Sequence, residues 1–210
     1  MDGIIVLNSE TPSVQYLTSV DPRLAEIISM VGAITYIPYE DPYEFLLSQI
    51  VSQMLSKKVA EKLFDKLSDL CEGVITPQSV YNLSSEQIKS VGLSKQKVGY
   101  IKCLTETVIN RGIDFSELPL LSDAEIIERL KTIRGIGNWS AKMYLIFVLN
   151  RQDVLPYEDG AFLQSYKWAY KTQAPSIEEI QLSCKKWSPY SSIAARYLYR
   201  ALDTGLTKIQ

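Results

Sequence analysis

The sequence predicts an all-α fold, and three observations carry that reading. From Asp21 onward, apolar residues recur at helical spacing in one segment after another. Asp-Pro, Thr-Pro and Ser stand at the segment starts, as caps and first-turn prolines do, and Gly stands past several ends. Only Ile4–Leu7 and Ile34–Ile37 read as extended chain. At 210 residues the chain can bury a real core, as one domain or as two closely packed lobes.

The elements follow in order. Residues Ile4 to Leu17 give a weak strand signal around the run Ile4-Ile5-Val6-Leu7. Asp21-Pro22 opens a helix with an apolar stripe of Leu24, Ile27, Ile28 and Val31, and Gly32 ends it. Asp41-Pro42 caps a helix expected from Tyr43 to near Met54, and Ser56 starts another that stops before Gly73. Thr76-Pro77 begins a small helix through Leu83, and Ser84 to Gln87 looks like a capping box for the next. A long helix is expected from Lys97 to Arg111, with Val98, Ile101, Leu104, Val108 and Ile109 inward. Ser122 caps a helix that runs into Gly135-Ile136-Gly137, and a second apolar helix enters at Asn138 and stops near Asn150. After Asp159 come a helix rich in aromatic residues to Tyr170, a helix from Ser176 to Cys184, and a last helix carrying Ala194, Tyr197, Leu198 and Leu202.

Composition excludes several chemistries. The chain has no histidine, so Ser-His-Asp and Cys-His schemes and histidine metal sites are ruled out. Three widely separated cysteines, Cys71, Cys103 and Cys184, argue against a disulfide framework, a zinc site or a four-cysteine iron–sulfur cluster. Acid–base work falls to carboxylate, lysine, tyrosine or water. No apolar run reaches the ~20 residues of a membrane span, and the acidic start MDGIIVLNSE is too short in its apolar run for a secretory signal. An intracellular location is therefore expected. The net charge of −2 is a mild argument against nucleic-acid binding, where basic domains are usual. Positive charge is nevertheless clustered: Lys89, Lys95, Lys97, Lys102 and Arg111 face only Glu106 in their stretch. Solvated helix faces are the other reading of that cluster.

The stretch from Leu130 to Asp159 carries the functional signal. Two glycines one residue apart, between apolar helices, make a tight helix–hairpin–helix, and glycine lets another backbone come close. Amides at the start of the second helix suit an anion such as a DNA phosphate. No acidic residue lies between Lys131 and Arg151, while Arg134 and Lys142 do. An ordinary αα-hairpin would also fit Gly-x-Gly alone. The segment Leu155-Pro156-Tyr157-Glu158-Asp159 decides between them. With the hairpin, it resembles the helix–hairpin–helix (HhH-GPD) DNA glycosylase superfamily, in its DNA-3-methyladenine glycosylase II branch. The resemblance spans roughly Asp21 to Leu202 and includes Ser52-Gln53-Met54-Leu55-Ser56 and the turn Trp187-Ser188-Pro189.

The resemblance implies a two-lobed helical bundle of the helix–hairpin–helix glycosylase type, monomeric, with a short N-terminal extended segment over residues 1–20. It puts a central lobe at about 43–155 and a second lobe at about 21–42 and 156–210, with the active cleft between lobes. It implies a monofunctional DNA glycosylase of base excision repair that flips an alkylated purine out of double-stranded DNA and hydrolyses its bond to the sugar. Asp159 is the implied catalytic carboxylate, with Glu158 its competitor. Gly135, Ile136, Gly137, Asn138 and Ser140 are the implied phosphate clamp. Met54 falls on the position of the wedge that fills the gap left by an extruded base, and Gln53 beside it can reach the opposite strand. Read without the resemblance, Met54 is a helix-end core residue. Trp139, Tyr157 and Phe45 are the candidates for the base pocket. No cofactor is required; a monovalent cation held by the main-chain carbonyls of Lys131, Ile133 and Ile136 is a further implication.

Bifunctional members carry a lysine where this chain has Trp139, so no Schiff base is expected. The chain departs from the family pattern at Arg134, at Gly160-Ala161 after Asp159, and at Ser191, where arginine is usual. These departures leave two alternatives: a glycosylase of the same fold for uracil or thymine mismatches or oxidised bases, or a non-catalytic helix–hairpin–helix DNA-binding module.

Overall fold

The structure is a computed structural model that describes residues 3–208. Among these, twelve α-helices and one two-stranded sheet form two compact units. One unit comprises the chain up to Pro38 and from Leu145 onward; the other is Tyr39–Tyr144.

The first unit begins with β1 (Ile5–Leu7), α1 (Pro12–Val20), α2 (Pro22–Val31) and β2 (Ile34–Tyr36). β1 and β2 pair antiparallel, Val6 opposite Thr35, so the strand signal holds for three residues only. The rest of the stretch expected as a strand remnant is α1. Pro12 at its first position and the inward pair Val14 and Leu17 were the helix signal. The unit is completed by α10 (Gly160–Tyr170), α11 (Ile177–Cys184) and α12 (Ser191–Asp203). Helix α12 packs on α1, α2 and α10, and its Ala194, Ala195, Tyr197, Leu198 and Ala201 are fully buried. Two of the four aromatic residues of α10 are core: Phe162 and Tyr166 stack at 5.9 Å, and both pack against fully buried Trp187.

Asp21 is the polar centre of this unit and is 1% exposed. It caps α2 by accepting from the amides of Arg23 and Leu24, both at 3.1 Å. Its other oxygen accepts from the Tyr170 hydroxyl at 2.6 Å and Trp187 Nε1 at 2.8 Å, and pairs with Lys186 Nζ at 3.1 Å. Burial works to raise its pKa, but the donors from Tyr170, Trp187, Leu24 and Lys186 outweigh burial and hold the carboxyl below its ordinary value.

The second unit holds α3 (Pro42–Ser52), α4 (Lys57–Leu70), α5 (Pro77–Tyr81), α6 (Ser85–Ser90), α7 (Lys95–Ile109) and α8 (Asp123–Lys131). Asp41, Thr76, Ser84 and Ser122 cap their helices with side-chain oxygens, as the sequence led one to expect, while α7 starts two residues earlier than expected, capped by Ser94. Helix α7 packs against α3, α5 and α6 with Val98, Ile101 and Leu104 buried. Val108 and Ile109, expected inward, are only half-buried. Helix α3 ends two residues earlier than expected, at Ser52, which leaves Gln53 and Met54 in a turn. Helix α9 (Asn138–Phe147) starts in this unit and ends in the other.

Replacing Asp21 with alanine removes a cap and strands two buried donors. The expected loss is about 3 kcal/mol or more in a denaturant melt at pH 7. Because the folded-state pKa is lowered, the carboxylate's contribution is complete above the unfolded-chain value of roughly 4 and fades as pH falls through the folded value. Asp21→Asn should therefore flatten the acid limb of the stability profile below about pH 4. Wild-type melts for Asp21→Ala would show that this carboxylate anchors nothing.

Candidate nucleic-acid and catalytic site

In the second unit, α8 ends at Lys131 and the chain turns through Ile133 to Gly137 into α9. The Ile136 amide donates to the Ile133 carbonyl at 3.0 Å, and both isoleucines are buried, which fixes the hairpin from beneath. The two glycines do different work. Gly135 has φ +100°, and a Cβ there would lie 2.4 Å from the Tyr100 ring. The ring and the backbone both demand glycine. Arg134, where the family pattern often has proline, lays its guanidinium over the same ring at 5.9 Å. Gly137 needs no special φ, and a Cβ there would meet open space. Its carbonyl accepts the Ala141 amide at 3.0 Å, so it stands at the start of α9. Nothing inside the protein requires Gly137, which leaves close approach from outside as its physical rationale.

The Gln53-Met54 turn is tied to this hairpin. Gln53 Nε2 donates to the Gly135 carbonyl at 2.9 Å. Lys97 Nζ donates to the carbonyls of Val51 at 2.8 Å and Gln53 at 2.7 Å, at the end of α3 where the helix dipole favours a cation. Met54 then takes φ +58° and is 101% exposed. That exposure excludes the reading of Met54 as a core residue. Gln53, expected to face DNA, here links turn to hairpin through its amide nitrogen. Lys97 and Lys102 also turn inward: Lys102 donates to the carbonyls of Tyr81 and Leu83. The basic cluster is thus partly a set of helix-end clamps. Lys142 is only 8% exposed and does not contribute to an open basic face.

Phe45 and Trp139 line one cavity of about 480 Å³, together with Tyr39, Phe64 and the carboxylates of Glu44 and Glu61. Tyr39 meets Phe45 edge-to-face at 4.9 Å. The third pocket candidate, Tyr157, belongs to the other unit. Trp139 is the second residue of α9.

In the first unit, Asp159 closes a turn by donating its amide to the Pro156 carbonyl at 2.9 Å. Its Oδ1 accepts the Phe162 amide at 2.7 Å, so Asp159 caps α10. The loop before it is clamped to the start of α12. Ser192 N donates to the Gln152 carbonyl at 2.9 Å, and Val154 N to Ser192 Oγ at 2.9 Å. Asp153 accepts from Ser191 N at 3.2 Å, from Ser191 Oγ at 2.6 Å and from Ser188 Oγ. Ser191 gives Asp153 both its amide and its hydroxyl, and Ser188 adds a third donor. Sequence reading missed Asp153 and Ser192; a serine-rich turn does not reveal which distant carboxylate it meets.

No cluster of three or more His, Cys, Asp or Glu side chains able to hold a metal ion occurs among the described residues, and all three cysteines are free. Among the described residues no helix is long and apolar enough to cross a membrane.

Residues 47–189 match the family model described as HhH-GPD superfamily base excision DNA repair protein. The chain belongs to the HhH-GPD superfamily. Among its HhH-GPD relatives, the alkylbase DNA glycosidase-like protein mag2 of Schizosaccharomyces pombe is 30% identical, covering 89% of this chain and 91% of that protein. DNA-3-methyladenine glycosylase 1 of the same yeast is 29% identical over 93% of this chain and 89% of its own. The DNA-3-methyladenine glycosidase structure from Bacillus halodurans superposes with a TM-score of 0.82 at 31% identity, covering 96% of this chain and 94% of that one. The Schizosaccharomyces pombe 3-methyladenine DNA glycosylase, solved in complex with abasic DNA, gives 0.82 at 29% identity, covering 92% and 97%. The HhH-GPD fold is thereby established for the helical chain described above.

The two hairpin glycines separate in a stability test. Gly135→Ala should cost about 2–4 kcal/mol, from positive φ and collision with Tyr100. Gly137→Ala should cost less than about 1 kcal/mol. Urea melts check this; equal losses would refute the division of labour.

Proposed function

We propose that this HhH-GPD protein is a monofunctional DNA glycosylase that removes alkylated purines of the 3-methyladenine and 7-methylguanine type. The observation that carries the reading is the setting of Asp159: a carboxylate oriented by the Phe162 amide, on a loop clamped to α12, in a chain whose second α9 residue is Trp139. The relatives named for 3-methyladenine excision add support.

In this mechanism, the amides of Asn138, Trp139 and Ser140 at the start of α9 receive a DNA phosphate beside Gly135, Ile136 and Gly137. Met54, apolar and already in solvent, enters the stack as the base leaves it. The extruded purine is positively charged. Phe45 and Trp139 offer stacking and cation–π attraction, Glu44 and Glu61 add negative potential, and Tyr157 supplies a further ring. As the bond from C1′ to the base nitrogen breaks, its electron pair passes to the base and neutralises it. Positive charge grows on the sugar, and Asp159 stabilises it. A water attacks C1′, and its proton passes by way of Asp159 to solvent. No lysine stands where a Schiff base would form, so the abasic site stays intact. The carbonyls of Lys131, Ile133 and Ile136 would hold a monovalent cation. Ile133 O already accepts one amide and keeps a second lone pair for it, and the bound cation would supply positive charge next to the phosphate.

Duplex DNA treated with a methylating agent tests the reading. Released bases are identified by chromatography, and strand breaks are scored with and without alkali. The expected result is methylated purine release, breaks only after alkali, and a fall of about 10²-fold or more in Asp159→Asn. Breaks without alkali would refute hydrolysis without a lyase step. Full activity in Asp159→Asn would remove the aspartate from the chemistry.

A further inference from the structure

The aromatic cavity of the second unit also has a polar wall, built from α3 and α4. Ser48, Gln49 and Ser52 line it from α3, and Glu61 and Asp65 from α4. The serine protons are turned into α3 itself. Ser48 Oγ donates to the Phe45 carbonyl at 2.7 Å, and Ser52 Oγ to the main-chain carbonyl of Gln49 at 3.0 Å. The Gln49 side chain is half-buried, and its Nε2 donates to Ser48 Oγ at 3.5 Å.

That contact fixes which way the Gln49 amide faces. The Ser48 proton lies on the Phe45 carbonyl, so Ser48 Oγ turns a lone pair toward Gln49. An amide oxygen in that place would meet lone pair with lone pair, whereas an N–H meets an acceptor. The nitrogen therefore faces Ser48, and the side-chain carbonyl is the open end of the amide. Among the described residues no donor meets Gln49 Oε1. Glu44, Glu61 and Asp65 add carboxylate oxygens to the same wall, where Lys57 is the one cation among the described lining residues. A wall rich in acceptors, beside aromatic rings, suits a guest that carries N–H donors and positive charge.

3-Methyladenine and 7-methylguanine differ along their edges but share one donor, an exocyclic amino group. In the duplex that group has a pairing partner on the opposite strand, and extrusion takes the partner away. A donor then left unpaired in a partly apolar cavity is costly. Resting on the glycosylase reading above, we infer that Gln49 is the specificity-determining residue of this cavity: its Oε1 accepts from the exocyclic amino group of the extruded purine. The bond replaces the pairing lost on extrusion and favours the extruded state of amino-bearing bases. A base with no amino group gains nothing from it. Phe45 and Trp139 attract any cationic ring, and Gln49 chooses among such rings.

The test compares a duplex carrying 7-methylguanine with one carrying 7-methylhypoxanthine, which has the same ring charge and methyl group but no exocyclic amino group. Single-turnover release from each is followed for the full chain and for Gln49→Leu, with thermal melts in parallel. Leucine keeps the helix and removes the acceptor. Release of 7-methylguanine should slow about tenfold in the variant, the factor expected for one hydrogen bond, with 7-methylhypoxanthine changed less than about twofold. Differences in pairing strength between the duplexes are common to both proteins and cancel in that comparison. Gln49→Glu restores an acceptor and should release 7-methylguanine faster than Gln49→Leu does. Equal slowing of both bases in Gln49→Leu overturns the inference, because Gln49 would then only support the cavity. Unchanged release of both also overturns it and leaves the glycosylase reading in place. No release of 7-methylguanine by the wild type removes the glycosylase reading and this assignment with it.

Discussion

The first unit is organised around one buried carboxylate. Asp21 meets the start of α2, the end of α10 through Tyr170, and the turn before α12 through Trp187 and Lys186. A charge taken from water is tolerable only when its lone pairs are filled, and here they are filled from three directions. Two of those elements bear on the site. The far end of α10 is Asp159, and the turn that follows Trp187 carries the serines that hold Asp153. Placement of the candidate catalytic loop thus depends on a contact made at the other end of α10.

The second unit solves a different problem with similar means. A lysine ammonium and a glutamine amide fill the open carbonyls at the end of α3 and in the hairpin. Helix ends leave such carbonyls unsatisfied, and a turn that must keep a side chain in solvent cannot use its own apolar residue to cover them. Lys97 and Gln53 do so, and Met54 is left outside in a left-handed conformation. Burial accordingly pulls the Lys97 pKa down.

What was legible in the sequence is what local chemistry determines. Caps at Asp21, Asp41, Ser84 and Ser122 marked helix starts because a side-chain oxygen at that position has one obvious use. The hairpin glycines and the loop to Asp159 were legible as a spaced pattern. The helix at Pro12 was overshadowed by the apolar run before it, although its own signals were present. The pairings of Asp153 with Ser188 and Ser191 and of Gln53 with Gly135 join residues dozens of positions apart. No periodicity encodes such pairs. The inward turn of Lys97 and Lys102 was hidden for the same reason: a lysine on a helix face looks alike whether it serves phosphate or carbonyl.

The chain's net charge bears on how, under the proposed function, it would meet DNA. A chain of net charge −2 has little overall positive field to draw a polyanion from a distance. Encounter without steering runs at roughly 10⁵–10⁶ M⁻¹s⁻¹, and its rate depends little on ionic strength. Under the proposed function, selectivity falls to contact, where a helix start, an apolar tip and an aromatic cavity meet one nucleotide.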